Sequence, residues 1–269
     1  MEHLQLDRIR AVRQIKTLCW CQRVGSTNDL ALSVGRSGDL ALPALFVAEE
    51  QTRGRGRGSN RWWSSSGALT VSLLIEPEAF GLAPGEWTRV ALATATAVCQ
   101  AIDPLLPEWL GGGRIRWPND VYLKDRKVAG VLVESTVASE DGQLSSTRRL
   151  VVGFGLNVNN SAHAAPAELR QRAVALCDVV GTELDRTGLL VAILEQWFAA
   201  VEGLARGARS VSDFWQQRAD LVGEPVEIVT PKGTLRGLCC GIDPAGQLVL
   251  HTTEGQQIVA TGWNLRRVY

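Results

Sequence analysis

The segment "ALFVAEEQTRGRGRGSNRWWSSSGALTVSLLIE", residues 44–76, places a run of glycines and arginines between two apolar stretches. The flanking stretches, 44–50 and 68–76, have the length and composition of β-strands. The run between them (the arginine loop, residues 53–61) is therefore predicted to connect two strands. Glycines let a backbone approach a ligand closely, and guanidinium groups bind phosphate or carboxylate through paired donors. Three interpretations follow: a phosphate-binding loop, an RNA-binding segment or a mobile solvated loop.

The charge of the whole chain is balanced, with 28 Lys and Arg against 28 Asp and Glu among 269 residues. Because a balanced chain has no overall basic field to attract nucleic acid, a small anionic ligand is favoured. No apolar run approaches the roughly 18 residues of a membrane span, and the N-terminus lacks a signal-peptide core. We therefore expect a cytoplasmic protein with no membrane association. The six cysteines and three histidines lack zinc-site spacing.

Beyond the arginine loop, apolar spacing predicts an α+β domain with a mixed β-sheet flanked by helices. Helices are expected at 86–102, 185–205 and 210–221, the last with Ser212 as its N-cap. Residues 111–135 are predicted to form a strand, a turn and a hairpin with "KDRK" at its tip. An exposed hairpin loop at 138–149 then leads into a strand at 150–160.

The pattern of apolar and turn residues in the sequence changes near residue 222. Short apolar stretches alternate with the turn sequences "PKG", "DPAG" and "TEG", a pattern typical of a small antiparallel β-barrel. We therefore divide the chain into a body, residues 1–221, and a C-terminal barrel, residues 222–269.

Three further stretches carry residues that suit neither a plain core nor a plain surface. "GSTNDLA" (25–31) puts Ser26, Thr27 and Asn28 at a helix start, as a cap or as ligand-binding groups. In "RIRWPNDVYLKDRKVAG" (114–130), Lys127 opens an apolar strand. Its amine either reaches solvent or supplies positive charge to a developing anion.

"GFGLNVNN" (153–160) has glycines at 153 and 155 within a predicted strand. They indicate either a β-bulge or the close approach of a ligand. Taken together, the four stretches suit a reaction between a carboxylate and the α-phosphate of a nucleotide. Cationic groups are needed there because two anions must be brought together.

In these four stretches, spanning residues 25–160, the sequence resembles the biotin–protein ligases, also called holocarboxylase synthetases. The C-terminal barrel resembles the family's SH3-like domain. The resemblance implies a fold like that of class II aminoacyl-tRNA synthetases. It also implies a two-step reaction, in which biotin and MgATP give biotinyl-5′-AMP and a lysine of a biotin carboxyl carrier domain then accepts the biotin. Members of the family occur as monomers and as homodimers.

The resemblance also implies roles for individual residues. The catalytic groups would be Lys127, Arg55 and Arg57. The biotin site would comprise Ser26, Thr27, Asn28, Gln51, Gly54, Arg55, Lys127, Gly130, Gly153 and Gly155. The adenylate site would comprise Arg57, Trp62, Asn119, Asp120 and Asn157. Mg²⁺ would arrive with ATP and lie near Asp120.

Three residues depart from the family pattern, since Arg53 replaces a small residue, Ser59 a glycine and Asn60 an arginine found in many bacterial members. Only about 24 residues precede "GSTND", so we expect the ligase-only class without DNA binding. The arginine loop is expected to be mobile when empty and ordered over a bound adenylate. Two alternatives remain: a lipoate or octanoate ligase of the same fold, and an RNA-binding module.

Overall fold

The computed structural model describes residues 3–37, 40–83, 86–108, 111–140, 143–260 and 262–268. Within these ranges, seven strands form one mixed sheet in the order β1-β2-β3-β7-β6-β5-β4. The strands are β1 (Thr17–Val24), β2 (Ala44–Gln51), β3 (Leu69–Ile75), β4 (Arg114–Arg116), β5 (Asp120–Leu123), β6 (Arg126–Glu140) and β7 (Gln143–Leu156). The β1–β2 pair is parallel and the other neighbours are antiparallel. The predicted mixed sheet is confirmed.

Helices cover both faces of this sheet. They are α1 (Leu6–Arg10), α2 (Thr27–Val34), α3 (Trp87–Ile102), α4 (Leu176–Val180), α5 (Arg186–Ala205) and α6 (Ser210–Arg218). Alternate residues of β2 and β3 point to opposite faces, so Phe46 and Leu74 pack under α2 while Leu45 and Leu73 join the larger core with α3 and α5. Both long helices lie where the apolar spacing predicts them.

Helix α5 is long and apolar enough to cross a membrane by length and composition alone. Residues along its length, among them Leu190, Ile193, Leu194 and Phe198, are buried in the core. Packing within the domain therefore accounts for its apolar composition.

Two local predictions are wrong. Residues 138–149 do not form a loop, because β6 continues to Glu140 and β7 begins at Gln143, with Val137 paired to Arg148. Cross-strand pairing extends both strands beyond the apolar runs, and the polar composition of this stretch does not reveal that extension. Residues 141 and 142 of the predicted loop lie outside the described residues. Ser212 is not an N-cap, since α6 begins at Ser210 and the Ser212 hydroxyl donates to the carbonyl of Arg209. Ser212 thus lies inside the first turn.

The C-terminal unit is all-β, as predicted. Its strands are β8 (Pro225–Thr230), β9 (Gly233–Ile242), β10 (Leu248–Thr252), β11 (Gly255–Val259) and β12 (Trp263–Arg267). They form an antiparallel sheet in the order β11-β10-β9-β8-β12. The proposed boundary at residue 222 falls between α6 and β8.

A buried ion pair ties the central sheet to α5. Glu49 and Arg186 are 5% and 4% exposed, and Arg186 Nη1 lies 2.9 Å from Glu49 Oε1. Glu49 also accepts hydrogen bonds from Ser66 Oγ and from the backbone N–H of Gly67. The pair therefore fixes the segment through which the arginine loop rejoins the sheet.

Burial alone raises the pKa of Glu49, but the hydrogen bonds from Arg186, Ser66 and Gly67 bring it below its ordinary value. A carboxyl whose pKa is lower in the folded than in the unfolded state stabilises the fold at neutral pH. That stabilisation is lost as the pH falls through the lowered pKa.

We predict that Arg186→Met lowers the free energy of unfolding by about 3–5 kcal/mol, because it leaves a buried carboxylate without its charged partner. Urea denaturation at pH 7 measures this. Arg8→Met is the matched control, since the Arg8–Asp185 pair is about half exposed and such pairs contribute at most about 1 kcal/mol. Equal losses in the two variants would contradict the stabilising role of the buried pair.

Candidate active site

One cleft, with a volume of about 340 Å³, brings the four polar stretches together. Its walls include these residues predicted from the sequence: Ser26, Thr27, Asn28, Gln51, Arg55, Arg57, Trp62, Asn119, Asp120, Lys127, Gly130, Gly153, Gly155 and Asn157. Gly54 is the exception, because it lies behind Trp62, whose backbone N–H donates to the Gly54 carbonyl at 3.0 Å. A side chain at position 54 would collide with that tryptophan's carbonyl.

The floor of the cleft is the pair of glycines on β7. Pairing with β3 and β6 is unbroken at both positions, which excludes a β-bulge. A β-carbon at 153 would lie less than 3.0 Å from the Asn28 amide, and one at 155 would lie equally close to the Trp62 indole. Glycine is required at both positions because other side chains, rather than solvent, occupy that space.

One end of the cleft is polar and buried. Thr27 donates to Gln51 Oε1 through its backbone N–H at 2.8 Å and through its hydroxyl at 3.1 Å. Ser72 Oγ lies 2.6 Å from Asn28 Oδ1. Ser26 occupies the N-cap position of α2, yet within the described structure its side chain makes no capping hydrogen bond. Ser26 is therefore the N-cap of α2 by its backbone position, but its hydroxyl does not cap the helix.

Lys127 reaches into the cleft rather than out to solvent. Its Nζ lies 2.7 Å from Asp120 Oδ1 and 5.7 Å from the centroid of the Trp62 ring. A β-carbon at position 130 would lie 3.0 Å from Nζ, so Gly130 makes room for the amine. The geometry gives the middle of the cleft a cation backed by one carboxylate and one aromatic face.

Arg57 is a second cation in the cleft. Its Nη1 is buried and has no hydrogen-bond partner among the described residues. Burial lowers the pKa of Arg57, and the charge of Asp120 offsets this only in part. A guanidinium held in this way has donors available for an anion that enters the cleft.

Arg55, in contrast, is already paired. Its Nη1 and Nη2 donate to the two carboxylate oxygens of Glu134 at 2.9 and 2.5 Å, and its Nε lies 2.8 Å from Asp29 Oδ1. The hydrogen bond to Glu134 is the main cause that raises the pKa of Arg55. Neither acid was among the residues predicted from the sequence, although a glutamate at the end of the apolar run "KVAGVLV" is a usable signal.

Two asparagines of the cleft shape its wall through their own hydrogen bonds. Asn119 Nδ2 donates to the carbonyl of Val131, and Asn157 Nδ2 donates to that of Val174 at 3.2 Å. Asn157 Oδ1 also accepts from Asn160 Nδ2 at 3.0 Å. Both amide groups thus hold backbone segments around the cleft.

The opposite end of the cleft includes residues that the sequence analysis did not single out. The Arg116 guanidinium lies 3.9 Å from the Tyr122 ring centroid and pairs with Asp220. Burial raises the pKa of Tyr122 to about 12, so its hydroxyl is protonated at neutral pH. Leu265, from the C-terminal sheet, completes this wall, and the Trp117 indole donates to the Gly246 carbonyl at 2.9 Å.

Among the described residues, no group of three or more His, Cys, Asp or Glu side chains is placed to hold a metal ion. Asp120 is a carboxylate in the cleft wall. Mg²⁺ bound to a nucleotide commonly takes most of its ligands from phosphates and water, with one or two protein carboxylates. Asp120 suits that arrangement.

Comparison with known proteins agrees with this geometry. Residues 20–149 match the model of the biotin/lipoate A/B protein ligase family, and residues 221–262 match that of the biotin protein ligase C-terminal domain. The biotin protein ligase of Aquifex aeolicus in complex with biotin and ATP superposes with a TM-score of 0.78 at 27% identity. That superposition covers 94% of this chain and all of the other.

Two relatives differ in how much of their length this chain covers. The bifunctional ligase/repressor BirA of Bacillus subtilis is 32% identical over 215 residues, which are 78% of this chain but only 62% of BirA. The biotin–[acetyl-CoA-carboxylase] ligase of Paracoccus denitrificans is 31% identical over 88% of this chain and 95% of its own length. On these matches, the chain belongs to the biotin protein ligase family.

Proposed function

We propose that this protein is an ATP-dependent ligase that attaches biotin to a lysine of a biotin carboxyl carrier domain. In the first step a carboxylate oxygen of biotin attacks the α-phosphorus of ATP, giving biotinyl-5′-AMP and pyrophosphate. In the second step the lysine amine attacks the acyl carbon, an amide forms, and AMP leaves. The observation that carries the proposal is the buried Nη1 of Arg57, which has no hydrogen-bond partner among the described residues and lies in the same cleft as Lys127.

The two cations suit the first step. Both reacting groups are anions, and their approach is unfavourable unless positive charge offsets the repulsion. Lys127 and Arg57 line one cleft, and both interact electrostatically with the Asp120 carboxylate. Asp120 in turn suits Mg²⁺ that enters with the nucleotide, and ion binding there would release Lys127 towards the phosphate.

The polar end of the cleft suits the biotin ring system. A ureido group presents two N–H donors and one carbonyl acceptor, and the Ser26 hydroxyl and the Gln51 amide offer matching groups beside the buried Asn28. A dithiolane ring, as in lipoate, has no such donors. The polar lining therefore favours biotin over lipoate or octanoate.

The protein that accepts biotin is inferred from the Paracoccus relative, which is a biotin–[acetyl-CoA-carboxylase] ligase. We propose a biotin carboxyl carrier domain as the protein partner. A cytoplasmic location, the absence of DNA binding, and a monomeric or homodimeric state stay predictions.

The decisive experiment combines biotin, ATP and a carrier domain and detects biotinylation by blotting. Calorimetric titration with biotin and with lipoate then separates the two candidate acids. Tight binding of lipoate without binding of biotin would overturn the proposed substrate.

We predict that Lys127→Ala reduces biotin-dependent pyrophosphate exchange by about 10²–10³-fold, because it removes a charge that stabilises the transition state. Lys232→Ala is the control, since Lys232 is an exposed turn residue of the C-terminal sheet. Wild-type exchange in the Lys127 variant would contradict the assignment of this amine.

We also predict that Arg57→Gln separates activity from stability. Pyrophosphate exchange should fall by about 10²-fold, as for the loss of one preorganised donor. The melting temperature should stay the same or rise, because the variant no longer desolvates a charge without a full set of partners. Arg206→Gln, at an exposed position, controls for charge removal alone. A large loss of stability in the Arg57 variant would contradict this description of the site.

A further inference from the structure

Glu134, on β6, connects the arginine loop to the polar end of the cleft. Its Oε1 accepts from Arg55 Nη1 at 2.9 Å. Its Oε2 accepts from Arg55 Nη2 at 2.5 Å and from Asn28 Nδ2 at 2.9 Å. One carboxylate therefore holds a loop residue and a residue of the cleft wall at the same time.

The contacts of Asn28 fix which way its amide faces. Asn28 Oδ1 faces the Ser72 hydroxyl, while Nδ2 donates to Glu134 and to the Leu132 carbonyl at 3.2 Å. A carboxylate and a carbonyl are acceptors, so they require the amino side of the amide. Gly153 leaves the space in which this amide lies. Glu134 thus sets the orientation of a group that faces the ligand.

We propose that Glu134 is a positioning residue that couples occupancy of the polar end of the cleft to closure of the arginine loop. This proposal rests on the proposed function, because biotin is the ligand of that end. A ligand that immobilises Asn28 also immobilises the Glu134 carboxylate, which then holds Arg55 and the loop more firmly. Arg55 accordingly acts as the attachment of the loop, and Arg57 remains the arginine available to the phosphate.

Asp29 provides a matched comparison for this role. It also faces Arg55, with Asp29 Oδ1 2.8 Å from Nε, but its side chain is 54% exposed. Among the described contacts, none joins Asp29 to the Asn28 side chain. Loss of the Asp29 charge weakens the neutralisation of Arg55 and leaves the connection through Asn28 intact.

The test compares wild type, Glu134→Gln and Asp29→Asn. Calorimetry measures biotin binding, and hydrogen exchange measures protection of residues 53–61 with and without biotin. In wild type, biotin should slow exchange in the loop. In Glu134→Gln, biotin should bind about tenfold more weakly, since bonds to a charged group are lost, and the loop should gain no protection. Asp29→Asn should stay within about twofold of wild type in affinity.

Three results would contradict the proposed coupling. Wild-type affinity and loop protection in Glu134→Gln would overturn the coupling. Equal losses in Asp29→Asn would overturn it too, because charge neutralisation of Arg55 would then explain both. Failure of the wild-type protein to bind biotin would overturn the proposed function, and the coupling with it.

Melting temperatures verify that the variants fold, with Glu76→Gln as the reference for loss of an arginine partner on the sheet. If Glu134→Gln does not fold, Arg55→Gln tests the same connection from the loop side. Its loop should gain no protection from biotin, and retained protection would overturn the proposal.

Discussion

Two glycines on the central strand, which leave space for neighbouring side chains, determine the rest of this site. Gly153 and Gly155 lie on β7 between β3 and β6, where the sheet is buried on both faces. Any β-carbon there would displace the Asn28 amide or the Trp62 indole. The polar end and the aromatic wall of the cleft are therefore built on backbone, in a part of the sheet too rigid to shift.

Three arginines of the body differ in how their charges are compensated, and two of them, Arg55 and Arg57, line the cleft. Arg186 is buried with Glu49 and serves the fold, and Arg55 is paired with Glu134 and joins the loop to the sheet. Arg57 has a buried nitrogen without a partner among the described residues. Of these three, only Arg57 has a buried charged nitrogen that costs stability and makes no contact among the described residues that stabilises the fold. This pattern is expected where a protein keeps a group available to bind a ligand.

Most of the fold could be predicted because it follows from local periodicity. The strands around the arginine loop and the helices α3 and α5 are continuous apolar patterns. Polar residues and glycines at unusual places in the sequence indicated most of the cleft lining, while Gln51 and the assignment of residues to biotin or to the adenylate came from the family resemblance. The pairing of Glu134 with Arg55 could not be predicted, because it joins residues 79 positions apart. Leu265 was missed for the same reason, since its role depends on how the C-terminal sheet packs on the body.

The departures of the arginine loop from the family pattern fall at its base, where Arg53 lies, and at its tip. Its base is held by hydrogen bonds from Arg53 N to the Gly25 carbonyl and from Trp62 N to that of Gly54. Ser59 and Asn60 lie at the exposed tip. The Arg53 side chain packs beside Gly25, which lacks a side chain that would restrict it. The Asn60 backbone N–H donates to the Arg57 carbonyl at 3.2 Å, and the Asn60 carbonyl accepts from the backbone N–H of Gly56 at 2.8 Å. Because these bonds are made by the backbone, a different side chain at position 59 or 60 leaves the turn that carries Arg57 in place.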